Sequence, residues 1–190
     1  MVVLTAPLIA VLGAAIKLDS RGPMLFRTLR VGRDGRPFHL LKLRTMAVGS
    51  DRAGLAVTAS GDARVTRVGR WLRRLKLDEV PQFVNVARGE MSIVGPRPEH
   101  PDFVRRYTET QLQVLTVRPG ITSLASLEFS DEEELLVGDA NRIYVEDVMP
   151  AKLALDLEYV RRRSLGLDLA IIGRTASLVL SRILRRPVRS

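Results

Sequence analysis

Leu77 to Glu99 reads LDEVPQFVNVARGEMSIVGPRPE, a short helix signal set between a basic flank and a rigid loop. Asp78 takes the N-cap position, Glu79 and Pro81 fall in a first turn where proline is tolerated, and Gly89 lies just past the helix end. Ser92 to Pro101 follows as a loop stiffened by Pro96 and Pro98 and containing Gly95. Upstream, residues 64–76 (RVTRVGRWLRRLK) place Val65, Val68, Trp71, Leu72 and Leu75 on one helical face, with arginines around the rest. The adjacent carboxylates Asp78 and Glu79 are therefore preceded by Arg70, Arg73, Arg74 and Lys76, and followed by Arg97. Helix N-terminal amides and arginines gather phosphate oxygens, and a carboxylate beside phosphate invites Mg²⁺. An aspartate so placed can also attack phosphorus. Taken alone, an Asp–Glu pair at a helix start is ordinary capping.

Working outward, Met24–Val31 and Phe38–Leu43 are apolar-rich runs around Gly32-Arg33-Asp34-Gly35, and Asp-Gly is a hairpin turn signal. A helix is predicted from Pro150 to Arg163 and another over residues 165–184. In the latter, Leu169, Ile172, Ala176, Val179 and Ile183 form a stripe, with Arg174, Arg182, Arg185, Arg186 and Arg189 off it or just beyond. Such a basic amphipathic helix suits an anionic bilayer surface or the closing of an ordinary core, and Arg161–Arg163 would meet that interface. At the other end, residues 1–16 carry no charged side chain. As a helix they would measure about 24 Å, short of the roughly 30 Å hydrocarbon layer. Pro7 would kink it, which fits either a buried helix or a segment that enters one leaflet and turns back.

Composition narrows the classes. The chain has 190 residues, 46% hydrophobic and 27% charged, with no cysteine, so thiolate–zinc sites and thiol nucleophiles are excluded. Its net charge of +9 lies wholly in the first half: 17 basic and 8 acidic residues through His100, against 13 and 13 thereafter. Anionic partners follow. Nucleic acid does not: aromatics are 5%, and no nucleic-acid-binding module is present. His39 and His100 lack metal-ligand spacing, and neither a P-loop nor a dinucleotide fingerprint occurs.

The Leu77–Glu99 stretch resembles the signature of bacterial sugar transferases, the monotopic phosphoglycosyl transferases that start lipid-linked glycan assembly. Lys17–Met46 (KLDSRGPMLFRTLRVGRDGRPFHLLKLRTM), Val117–Thr122 (VRPGIT) and Leu155–Ile172 (LDLEYVRRRSLGLDLAII) agree in order, so the likeness covers nearly the whole chain. The resemblance implies transfer of a phosphosugar from a nucleoside diphosphate sugar, usually a UDP-sugar, to polyprenol phosphate, with Mg²⁺. It makes Asp78 the nucleophile and Glu79 its assistant in proton handling or metal binding. Lys42, Arg44, Arg73, Arg97 and Arg118 become candidate phosphate or nucleotide contacts, and Pro7 the bend of a re-entrant helix. The implied location is the cytoplasmic face of a bacterial inner membrane.

The expected fold is α+β and mostly helical, one domain over residues 1–190. It comprises a membrane-dipping, truncated re-entrant helix (1–16), a catalytic core with a small β-hairpin (17–163) and a basic amphipathic interfacial helix (164–190). Three features depart from the family pattern. Only six residues precede Pro7, Ala6 stands where serine is usual, and Ser123-Leu124-Ala125-Ser126 replaces the usual run after Gly120-Ile121-Thr122. An acidic patch, Asp131–Glu134, follows, and Ser130 and Glu133 have capping-box spacing. The rival expectation is a non-catalytic, N-terminally truncated membrane-surface module of the same family.

Overall fold

The computed structural model describes residues 2–50 and 61–184, with side chains from Thr5 onward. Helix α1 (Val2–Asp19) leads into an antiparallel hairpin, β1 (Leu25–Val31) with β2 (Pro37–Leu43), as the two apolar runs predicted. Asp34 and Gly35 both have positive φ (57° and 74°), and the Arg36 N–H donates to the Arg33 carbonyl. That is the backbone a primed two-residue turn needs, and Asp-Gly supplies it at low steric cost.

Helix α2 is shorter than the sequence pattern suggests, spanning Arg67–Arg74 behind a Thr66 cap whose hydroxyl accepts from the Gly69 N–H. Val65 lies outside it, bridging to Met46, and Trp71 is half exposed. The apolar face is thus narrowed to Leu72, Val68 and their neighbours, packed on Leu12 and Ile16 of α1 and on Leu43 of β2. α1 runs through Pro7 to Asp19, so the bend expected at Pro7 is not a turn back among the described residues. Among the described residues no helix is long and apolar enough to cross a membrane.

Helix α3 (Gln82–Ala87) docks on β2, with Val86 packed against Phe38 and Leu40 and Asn85 bonding the strand backbone. Asn85, fully buried, accepts from the Leu41 N–H (3.1 Å) and donates to the His39 carbonyl (2.8 Å), standing in for a neighbouring strand. Gly89 has φ +76°, the left-handed stop expected for it. The loop predicted from Ser92 begins as β3 (Ser92–Val94), pairing in parallel with β4 (Gly120–Thr122). The two strands continue into a close crossing at Gly95 and Gly120. A Cβ on Gly120 would lie 2.1 Å from the Gly95 nitrogen, and one on Gly95 would lie 2.5 Å from the Arg118 carbonyl oxygen. Only glycine permits that approach.

Short helices α4 (Pro101–Val104), α5 (Leu124–Glu128) and α6 (Ala140–Ile143) lead through a π-helical turn into α7 (Met149–Arg162) and α8 (Leu165–Leu184). Phe103, Tyr144, Met149 and Leu153 centre the largest core cluster. α8 attaches by a different face from the stripe read in the sequence. Ile171 is buried and Thr175 bonds Thr122 at 2.7 Å, while Leu169, Ile172 and Ile183 face outward. Arg185, Arg186 and Arg189 lie outside the described residues.

Candidate active site

The chain reverses between α2 and α3. Lys76 adopts the left-handed conformation (φ 56°), and Leu77–Glu79 form a single 3₁₀ turn. Asp78 is therefore not the N-cap of α3, which starts at Gln82 behind Pro81 with no side-chain cap. Both carboxylates are instead buried, at 6% and 8% exposure, on the wall of a cavity of about 920 Å³. The expected capping box at Ser130 also fails to form: the Ser130 hydroxyl pairs with Asp131, and Glu133 reaches away to Arg73.

The two carboxylates have different surroundings. Glu79 Oε1 accepts from Arg97 Nη2 at 2.8 Å and lies 3.6 Å from Lys42 Nζ. Burial alone would push this carboxyl up, but the two cations outweigh it and hold Glu79 ionised, well below the usual range. Asp78 makes no hydrogen bond or ion pair among the described residues. Burial pushes it up, against the pull of Lys42. The dyad thus comprises one clamped anion and one unpartnered carboxylate facing the same cavity.

Arg97 is aimed by its loop. The Gly95 N–H donates to the Thr122 carbonyl, the Gly120 N–H to the Pro96 carbonyl, and the Arg97 N–H to Asp156 Oδ2 at 3.3 Å. Asp156 sits on α7 with its other oxygen buried and unpartnered, and burial pushes its carboxyl up to about 7. A carboxyl raised from 3.8 favours the folded state when protonated. That contribution is fully present below about pH 4 and is lost as pH rises to about 7. Asp156→Asn keeps the acceptor and cannot ionise. It is expected to exceed the parent in stability at pH 8 by on the order of 3 kcal/mol, with the gap closing toward pH 4. Urea denaturation at both pH values checks this, and a gap independent of pH would contradict it.

Of the other residues singled out in the sequence, Lys42 and Arg73 also line the cavity. Arg73, on α2, donates to the Thr45 hydroxyl and pairs with Glu133 at 2.9 Å. Arg44 and Arg118 are not gathered here. Arg118 is exposed and outside the cavity. Arg44 is buried beyond the end of α1, donating to the Ser20 and Arg21 carbonyls and the Ser20 hydroxyl at 2.8–2.9 Å. Its charge satisfies the carbonyl-rich end of a helix rather than a ligand. Arg44→Met is expected to cost about 3 kcal/mol of unfolding free energy in urea denaturation. A loss below about 0.5 kcal/mol, usual for surface changes, would remove its role as a strut.

Sequence reasoning passed over Lys152 and Asp156 on α7, and read Arg182 on α8 only as part of a basic amphipathic helix rather than of this cavity. Lys152, 5% exposed, pairs with Glu132 at 2.7 Å, and Arg182 pairs with Asp131 at 2.6 Å. One signal was available for the first two: they occupy the three-four repeat shared by Met149, Leu153 and Tyr159, so they are charges on a buried face.

No group of three or more acidic, histidine or cysteine side chains forms a metal cage among the described residues. The donor set fits Mg²⁺ in the manner that ion prefers, with one or two carboxylates and the remaining positions filled by phosphate oxygens and water. Asp78 and Glu79 would be those carboxylates.

Comparison with known proteins gives this arrangement a lineage. The chain is 41% identical over 181 residues to the UDP-glucose:undecaprenyl-phosphate glucose-1-phosphate transferase of Caulobacter vibrioides, covering 94% of this chain and 64% of that protein. It is 41% identical over 174 residues to an undecaprenyl-phosphate glucose phosphotransferase of Komagataeibacter xylinus, covering 88% of this chain and 31% of that one. The UDP-N-acetylgalactosamine-undecaprenyl-phosphate N-acetylgalactosaminephosphotransferase of Aeromonas hydrophila is 36% identical over 181 residues, covering 94% and 40%. The chain therefore spans less than two thirds of each of these relatives. A family profile described as bacterial sugar transferase matches residues 1–182, essentially all that surrounds the dyad, and the chain belongs to the bacterial sugar transferase family.

Proposed function

We propose that the chain is a phosphoglycosyl transferase that moves a sugar 1-phosphate from a nucleoside diphosphate sugar, of the UDP type, to polyprenol phosphate. This would be the first step of lipid-linked glycan synthesis. One observation carries the reading: a buried carboxylate, Asp78, without hydrogen-bond or ion-pair partners among the described residues, beside an anion already neutralised by Arg97 and Lys42 in a cation-walled cavity. The activities for which the relatives are named support the donor and acceptor classes.

An Asp78 oxygen bonds the phosphorus that carries the sugar, the bond from that phosphorus to the bridging oxygen breaks, and UMP leaves with the electron pair. An oxygen of polyprenol phosphate then attacks the same phosphorus. The bond to Asp78 breaks, the carboxylate recovers its electron pair, and a polyprenyl diphosphosugar departs. Any proton on the acceptor phosphate passes to solvent, since Glu79 is held ionised and is a weak base. Its part is to fix Arg97 and Lys42 where charge develops. Asp78 and Glu79 would hold Mg²⁺, which would supply further charge neutralisation.

The acceptor lives in a bilayer, and the outward residues Leu169, Ile172 and Ile183 of α8 and Val11 and Leu18 of α1 support seating at a membrane surface. We place the protein there as a monotopic enzyme of the bacterial inner membrane, with its cavity on the cytoplasmic side. Detergent-solubilised protein with Mg²⁺, polyprenol phosphate and a panel of nucleotide sugars is expected to release nucleoside monophosphate with at least one donor. Silence across the panel would favour the non-catalytic module.

A further inference from the structure

We infer that Lys152 and Arg182 are donor-phosphate-binding residues, and that the acidic segment Asp131–Glu133 occupies them and Arg73 as an internal counter-anion that the donor displaces. The inference rests on the proposed donor class and adds to it the groups that receive the diphosphate. Three consecutive acids reach three different elements of the cavity wall: Asp131 to Arg182 of α8, Glu132 to Lys152 of α7, and Glu133 to Arg73 of α2. All six side chains line the cavity that holds Asp78. A diphosphate entering that space needs cations, and these three are already held by carboxylates.

The segment is built to leave. Asp131 precedes a 3₁₀ turn that holds Glu132 and Glu133, and Asp131 and Glu133 are about half exposed or more. Leu136 anchors it in the core on one side, Leu135 and Val137 are exposed, and Gly138 has φ +87°. Few buried contacts oppose its opening. Lys152, by contrast, is nearly enclosed. A competitor of this kind lowers apparent affinity by the fraction of time that it is closed.

Inorganic pyrophosphate, titrated calorimetrically into the full chain in detergent micelles, tests this. The triple variant Asp131→Asn, Glu132→Gln, Glu133→Gln is expected to bind about tenfold tighter than the parent. Adding Lys152→Gln to that triple should abolish the gain. Neutralising three exposed acids outside the cavity, Glu109, Glu128 and Glu146, controls for net charge and should not reproduce it. In the unaltered chain, pyrophosphate should speed amide hydrogen exchange over residues 131–136, which a merely structural ion-pair set would not do. Equal affinity in parent and triple, a gain matched by the charge control, or exchange that is unchanged or slowed would each overturn the inference. Nucleotide release measured on the same preparations separates the two readings. Normal release with flat pyrophosphate responses sinks only this inference; the expected pyrophosphate responses with no release from any donor sink the transferase reading instead.

Discussion

Asp78→Asn is expected to abolish nucleotide release, by about four orders of magnitude or more, while leaving the fold intact. The amide is nearly isosteric with the carboxylate and cannot form the acyl phosphate. Asp78 makes no hydrogen bond or ion pair among the described residues, so its loss removes no visible strut. Burial already penalises its ionised form, so neutralisation should leave stability equal or slightly higher. A structural cap would behave in the opposite way, with modest loss of activity and clear loss of stability. The same raised carboxyl sets the pH dependence. The ionised form is the nucleophile, so kcat/KM should fall as pH drops through a limb above the ordinary aspartate range, and rise as pH rises. A full rate retained at acid pH would be inconsistent with an aspartate nucleophile in this setting.

Arg97→Ala is expected to strike both activity and stability. Its guanidinium bonds Glu79 at 2.8 Å, and both side chains are mostly buried. Removal leaves Glu79 with Lys42 alone at 3.6 Å, and a buried carboxylate that loses its hydrogen-bonded cation costs about 3 kcal/mol. Its carboxyl then rises toward neutrality, converting a fixed anion into a group able to hold a proton. Release should fall by about 10²–10³, since one preorganised cation is lost from beside the reacting phosphorus. The double variant Arg97→Ala, Glu79→Gln discriminates causes. It is expected to recover most of the stability, because no charge is stranded, and none of the rate. Additive stability losses in urea denaturation would show that the pair is not coupled.

The sequence pattern made the hairpin legible through Asp34-Gly35, and the helix end through Gly89, because both rest on local backbone chemistry. Where tertiary packing decides, the pattern misled. Asp78 has the residue type and position of a cap, yet the left-handed Lys76 redirects the chain and drives both carboxylates into the cavity. The stripe on α8 identifies an apolar face without saying what covers it, and Ile171 with Thr175 chose the neighbouring face for docking. Arg44 and Arg97 look alike as candidate phosphate contacts. One closes a helix end and the other grips Glu79, a difference fixed only by contacts far along the chain. The acidic patch read as a helix start does open a 3₁₀ turn, but it is also the partner of three cations from α2, α7 and α8, a relation that no local spacing encodes.

Intact-mass spectrometry of the full chain, incubated with Mg²⁺ and each nucleotide sugar but no acceptor, tests the covalent relay most directly. The protein should gain the mass of one phosphosugar with at least one donor, on the peptide containing Asp78. The adduct should disappear when polyprenol phosphate is added and should never form on Asp78→Asn. Steady release of nucleoside monophosphate to the lipid acceptor without any such adduct, or an adduct that persists in Asp78→Asn, would contradict the account.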